Sequence, residues 1–472
     1  MSHERSHKNR TLWLVGGLHA FTHLYQVALL PLYFRIQQDL KLSSIEQATL
    51  LVTVLGVAYF LPSYPLGALA DRLSRKKLLT FGLAINALGF IGLSLAPNYG
   101  WALVGAALAG FGGSFYHPSA TALIARLFPD SKGRALGLVG IGASIGFFAG
   151  PMYSGWRVVT ASSWRTPVFE LGALGIVAAA LFAWLADEER STGSASEKPP
   201  SPPSSSGART FLSAASSPQE MIPLIPGSHH SSNIAAERNV RAPLRRGVRT
   251  ESPKLFPTAT LWIFFFGASF ALSLRDFAGS AMGTSASLFL QSAHGFSPKL
   301  TGLAISGIFL ASVISNPLFG SLSDGGRMRW VAFVLVMSAG LISAFPRVPV
   351  SWMAPVLLGY GFFFMASYPI TEAALMESVP DAVRGRVFGL FITVSGLVAN
   401  LSHWLVGSWI HQLGSRASLV ESYLPLYAVL SLMVVLSVSA LPMLNAIRKR
   451  EHLSAPLAGV GPLSALQTPE AR

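Results

Sequence analysis

Pro65-Leu66-Gly67-Ala68-Leu69-Ala70-Asp71-Arg72-Leu73-Ser74-Arg75-Lys76-Lys77 forms a short charged loop at the end of an apolar run, and much of it occurs twice. The second copy, Pro317-Leu318-Phe319-Gly320-Ser321-Leu322-Ser323-Asp324, carries one extra residue. Another pair agrees: Pro129-Asp130 with Gly133-Arg134-Ala135-Leu136-Gly137-Leu138 returns as Pro380-Asp381 with Gly385-Arg386-Val387-Phe388-Gly389-Leu390. All these repeats share an offset of 251 to 253 residues. The chain is therefore a parallel duplication. Such a repeat places a pseudo-twofold axis along the membrane normal and a solute path between the halves.

The runs around these loops are long enough to cross a bilayer, which takes about 20 apolar residues. Twelve are found, near 11–35, 47–70, 78–96, 100–127, 134–157, 166–187, 258–291, 299–322, 329–346, 351–378, 386–412 and 421–446. Composition points the same way: 472 residues are 51% hydrophobic and only 12% charged, with a mean hydropathy of +0.49. A soluble surface needs about a quarter of its residues charged. The expected fold is an all-α membrane protein, with twelve transmembrane helices as two pseudo-twofold-related six-helix bundles. Arg5, Lys8 and Arg10 before the first span resemble the start of a signal peptide, but eleven further spans favour a retained anchor.

The basic residues set the topology. The net charge of +14 is dispersed in short patches between apolar runs, so it reads as orientation and not as nucleic-acid binding. With the N-terminus inside, the outer loops hold only Arg35, Lys41, Arg157, Arg165, Lys299, Arg347 and Arg416 of the 35 Lys and Arg, and Arg275 lies within a span. Even without the nine in the long central segment, the inner loops dominate. Both termini are expected in the cytoplasm of a plasma (inner) membrane protein. The division expected is 1–187 for the first bundle, 188–257 for a linker, 258–446 for the second bundle and 447–472 for a tail. Pro199-Pro200-Ser201-Pro202-Pro203 and the absence of an apolar period make the linker a disordered one, dispensable for folding.

Gly67 through Lys77, between spans 2 and 3, resembles the loop signature of the major facilitator superfamily, and Gly320 through Arg329 resembles its weaker copy. This resemblance implies the major facilitator fold, alternating access, and a cavity lined by spans 1, 4, 7 and 10. Gly67, Asp71, Arg72 and Arg75, with Gly320 and Asp324, are then conformational residues, Asp71 stabilising one state without touching cargo. In span 5, Gly137, Gly146, Gly150-Pro151 and Gly155 are similar to the glycine pattern of antiporters in this superfamily, with Ser154 replacing one glycine. Small residues at such spacing let helices approach closely, so Gly146, Gly150 and Pro151 are expected to serve gating.

A narrower likeness is to bacterial fosmidomycin resistance transporters, which export an anionic phosphonate by proton exchange. It rests on His19 through Gln26, on Gly112-Gly113-Ser114-Phe115-Tyr116-His117-Pro118, and on Phe289-Leu290. The chain departs from that group at Ser119 and His23, where those proteins tend to have carboxylates. It also has Ala106 where many proton antiporters have an arginine in span 4.

Ionisable residues inside spans are costly, at least ~2.5 kcal/mol for Asp or Arg near a helix centre, and mark function. Span 1 has His19, His23 and Gln26; span 4 has Tyr116 and His117; span 7 has Arg275 and Asp276; span 10 has Glu372 and Glu377; span 11 has Asn400 and His403. At an offset of 253 His23 falls on Asp276, at one depth in the two halves. His19, His23, Gln26, Tyr116, His117 and Arg275 are the expected substrate-binding residues. His23, Asp276 and Glu372 are expected to exchange protons, and Glu377, near the inner face, to gate. Arg275 and Asp276 are adjacent and are not expected to face each other along one helix. His19 and His23 share a helix face, but the sequence presents no third metal ligand, so no metal site and no cofactor are expected. No phosphate-binding loop for ATP occurs, and Gly142-Ala143-Ser144-Ile145-Gly146 matches a hydrolase elbow only by spacing, inside an apolar helix. The expected activity is a proton-coupled antiporter exporting a small, anionic, drug-like compound as a monomer, with no enzymatic reaction. Alternatives are an uptake permease for a sugar, organic acid or nucleoside, or a non-transporting membrane sensor.

Overall fold

Residues 2–70, 73–128, 131–186, 255–256, 258–323, 326–379 and 381–454 are described by a computed structural model of the chain. Asp71, Arg72, Asp324, the body of the 188–257 linker and the tail beyond 454 lie outside the described residues. All regular structure among the described residues is helical. In the first half the helices are α1 (Ser2–Val27), α2 (Tyr33–Asp39), α3 (Ile45–Phe60), α4 (Ser63–Ala70), α5 (Arg75–Ser94), α6 (Tyr99–Gly113), α7 (Tyr116–Leu127), α8 (Lys132–Ala161) and α9 (Arg165–Leu185). The second half has α10 (Ala259–Ser292), α11 (Pro298–Leu310), α12 (Ser312–Leu322), α13 (Arg327–Ala344), α14 (Val350–Glu377), α15 (Asp381–Leu413), α16 (Leu424–Leu436) and α17 (Ala440–Ser454).

Ten helical stretches among the described residues are long and apolar enough to cross a membrane. The expected first and fourth spans are helical but fall outside that measure, for a physical reason. α1 opens on ten mostly polar residues and farther on carries His19, His23 and Gln26, while the fourth span is broken into α6 and α7. The break falls at Ser114-Phe115, just ahead of Pro118, whose missing N–H cannot support a preceding helical turn. Elsewhere proline is tolerated: α14 runs unbroken through Pro355 and Pro369. Trp184, Ile263, Phe270 and Ile314 point outward and exposed, as side chains facing lipid do. Just ahead of α10, Phe256 is buried against Trp262 and Phe265.

Glycine decides how closely the helices pack. A Cβ on Gly142, Gly146 or Gly150 would strike the carbonyls of Gly16, Ala20 or Leu24, so α8 lies directly on the backbone of α1. The glycine pattern of span 5 therefore acts as packing, with Gly142 taking part and Gly137 facing open space. Farther along, Gly155 and Gly302 pack α8 against α11, each too close to its neighbour's backbone to accept a Cβ.

The contacts between the halves concentrate at the end away from the chain termini. There α3 lies along α15 and α8 along α11. Ser287 donates to the Leu30 carbonyl at 2.5 Å, Ser306 to Phe148 at 2.7 Å and Thr53 to Asn400 at 2.9 Å. Trp404 donates from its indole to Glu46 at 2.6 Å. Tyr33, Thr284 and His403 form a polar chain across the join, with steps of 3.0 and 2.6 Å. His403 and Asn400 thus belong to this seal. At the opposite end α4 and α15 touch only lightly, as do α8 and α12.

This seam is testable because the chain has no native cysteine. Ser306→Cys, fully buried at the α8–α11 join, should react slowly with a membrane-impermeant maleimide. Adding Gly302→Leu should accelerate labelling at least tenfold by holding the seam apart. Unchanged labelling would mean that the glycine contact does not control closure.

Candidate translocation site

Two polar clusters occupy related places in the two halves. In the first, α1 presents His19 and His23 one turn apart, and their Nε2 atoms are 3.0 Å from each other. His19 Nδ1 lies 2.9 Å from the Val139 carbonyl, a contact made possible by the bare glycine face of α8. His23 Nδ1 lies 3.0 Å from Gln26 Oε1. The α6–α7 break brings His117 to both: its ring centroid is 5.3 Å from His19 and 5.6 Å from His23. Tyr116 stacks on His19 at 4.7 Å and donates its hydroxyl to the Val15 carbonyl at 2.9 Å. Phe147 stacks on His23 at 4.3 Å and on Phe309 of the other half at 4.8 Å. All three histidines are half-buried, so they keep accessible surface.

The second cluster centres on Arg275, buried to 1% exposure within the unbroken helix α10. Its Nε and Nη2 approach Asp276 Oδ1 at 2.9 and 2.8 Å. Nη1 donates to Thr371 Oγ1 of α14 at 2.6 Å, and the guanidinium lies 4.2 Å above the Tyr368 ring. Glu372, exposed on α14, is within Coulombic reach of both Arg275 and Asp276.

This corrects one expectation. Arg275 and Asp276 do pair directly, without a helix irregularity. The spacing rule describes where side chains leave the helix, whereas an arginine has enough length to fold its head back beside the next residue. Thr371, Ser367 and Tyr368 were also missed. A signal existed, since Tyr368 stands 252 residues after Tyr116, within the repeat offset. His19, His23, Gln26, Tyr116 and His117 come together, as do Arg275, Asp276 and Glu372. Glu377 stands apart, accepting from Arg327 Nη2 at 2.6 Å and Nε at 3.0 Å, with Arg448 3.8 Å away. They border a cavity of about 350 Å³ at the end that carries the termini. Gly67 lies in α4, and Arg75 opens α5 behind the Ser74 cap. Gly320 lies in α12, facing open space.

A bundle of membrane-spanning helices in two repeats, with partly accessible polar clusters on the repeat-related helices, is the construction of a secondary transporter. The family model described as Major Facilitator Superfamily matches residues 12–403, and the chain belongs to that superfamily. It is a multi-pass membrane transporter. Multidrug resistance protein 2 of Bacillus subtilis is 25% identical over 353 residues, covering 74% of this chain and 76% of that protein. Multidrug resistance protein Stp of Mycobacterium tuberculosis is 27% identical over 370 residues, covering 75% and 66%. Among solved structures, a bacterial homologue of the human lysosomal transporter Spinster, inward-facing and unoccupied, matches with a TM-score of 0.66 at 15% identity. It covers 94% of this chain and 97% of that one, a likeness of fold.

Arg275 should be held by its pairing. Removing one member of a buried ion pair costs about 3–5 kcal/mol, because the other charge is left uncompensated. Arg275→Ala should therefore destabilise the detergent-purified protein strongly, and Arg275→Ala/Asp276→Ala should recover part of the loss. A double variant as unstable as the sum of the single ones would show that the two side chains do not interact.

Proposed function

We propose that this protein is a proton-coupled antiporter of the plasma membrane that exports a small, anionic, drug-like compound by alternating access. The observation that carries this reading is the buried Arg275 shared between Asp276 and Thr371, with Glu372 close enough to sense both charges. While Asp276 is ionised, the guanidinium is satisfied within the protein. A proton on Asp276 releases it to attract an anion, and loss of that proton restores the internal pair and expels the cargo. Proton and substrate thus compete through one arginine.

The remaining roles follow from position. Arg275 with His19, His23, Gln26, Tyr116 and His117 holds the cargo, and Glu372 and His23 relay protons. With both termini in the cytoplasm, the sealed end faces outside and the loosely joined end faces the cytosol, where an exporter loads. The names of the multidrug resistance relatives support export, and the similarity to fosmidomycin resistance transporters supports an anionic cargo. The Glu377–Arg327 pair fastens the inner ends of α13 and α14 so that they move as one body. Asp71, Arg72, Arg75 and Asp324 balance the two states. Each half forms one bundle, and one chain suffices.

Asp276→Asn mimics the protonated acid. In everted vesicles it should retain substrate binding and solute exchange while losing accumulation driven by an imposed proton gradient. If coupling survives in Asp276→Asn and disappears in Glu372→Gln, the proton site belongs on α14.

A further inference from the structure

His117 converts a histidine pair into a three-ligand group. One ring nitrogen from each of His19, His23 and His117 lies within 4.8 Å of the others, although α1 and α7 supply them from positions 94 residues apart or more. We infer that these three histidines form a binding site for a divalent transition-metal cation of the zinc type.

Hydrogen bonding fixes the orientation of two ligands. A carbonyl oxygen only accepts, so His19 Nδ1 donates to Val139 and its Nε2 is left as a bare lone pair. His23 Nδ1 faces the Gln26 amide oxygen, which leaves its Nε2 bare as well. Two lone pairs facing each other at 3.0 Å repel unless a cation lies against both. Metal-bound histidines almost always spend their second nitrogen in this way, on a carbonyl or a similar acceptor. Gln26 Nε2 is buried with no hydrogen-bond partner among the described residues, so His23 is the one hydrogen-bond partner that orients its amide there.

A shared proton would also relieve that pair, but it has no use for a third imidazole. His117 has no hydrogen-bond partner for either ring nitrogen among the described residues, and its ring is held beside the pair by packing against His19, His23, Tyr59 and Tyr116. Zinc–nitrogen bonds of about 2.0–2.1 Å in a tetrahedron put ligand nitrogens roughly 3.3 Å apart. The His19–His23 separation already approaches that edge, and binding requires the His117 nitrogen to close in from within 4.8 Å. Three imidazoles suit Zn²⁺, with Co²⁺ and Ni²⁺ as close analogues. They leave a fourth position open for water or for an oxygen of an anionic cargo. The site uses residues proposed above to hold substrate, but it does not depend on transport direction or on proton coupling.

The test uses the full-length protein in nanodiscs, freed of metal by chelation and titrated with Zn²⁺ alone by calorimetry. One equivalent per chain should bind tightly. Co²⁺ should give the intense visible bands of a tetrahedral complex, with no thiolate contribution because the chain lacks cysteine. His117→Ala should weaken binding at least a hundredfold, and Gln26→Ala about tenfold through the orientation of His23. X-ray absorption of the zinc-loaded protein should count three imidazoles, a readout available even if a variant fails to fold. Zinc binding unchanged in His117→Ala, octahedral cobalt spectra, or fewer than three imidazoles would overturn the assignment. Because no transport is measured, these outcomes leave the antiporter reading to stand or fall on its own.

Discussion

A charge carried into the apolar slab must find its partner inside the protein, because lipid supplies no hydrogen bond and little polarisation. Arg275 obeys that constraint completely: every direction of its guanidinium is occupied, by Asp276, by Thr371 and by the face of Tyr368. The consequence reaches beyond stability. A cation whose satisfaction depends on one carboxylate and one hydroxyl can be set free by a single proton. In the proposed mechanism such an element has two settings, which both a proton and an anion bias.

The same constraint shapes the first half differently. Its repeat-related position holds His23, and neutral imidazoles need no counter-ion. They still need partners, which they find in Gln26 and in the Val139 carbonyl. The last of these is favoured by the glycines that let α8 lie on the backbone of α1. The glycine pattern of α8 therefore does two things. It packs two helices and it brings a backbone acceptor to His19, so a mutation at Gly142 or Gly146 would disturb the histidine cluster as well as the bundle.

Much of this was legible in the chain. The duplication and the helix positions follow from period and length, whereas the fourth span reads as one run although α6 and α7 divide it. Which ionisable residues lie inside the spans followed from their presence in apolar runs. Their partners did not. His117 meets His19 only through packing of α1 on α7, which no local periodicity encodes. Thr371 and Tyr368 are ordinary residues in an apolar helix until Arg275 arrives beside them. The pairing of Arg275 with Asp276 was misjudged from spacing, since spacing locates Cβ atoms and says little about the end of a long side chain. The first span is interrupted by polar residues and the fourth by a helix break, so the groups that make them unusual also weaken the signal by which such spans are found.

The central claim is that the seal between the halves opens while each half moves as a body. The chain's lack of cysteine allows spin labels at Ser43 and Ser415, exposed at the sealed end on opposite halves, and at Ser43 and Gly100 within one half. Distances by pulsed electron spin resonance should be compared in nanodiscs at low and high pH. The Ser43–Ser415 distribution should gain a second, longer population as pH changes, while Ser43–Gly100 stays single and constant. One unchanging Ser43–Ser415 distance at every pH, or equal broadening of both pairs, would contradict alternating access by these two bundles.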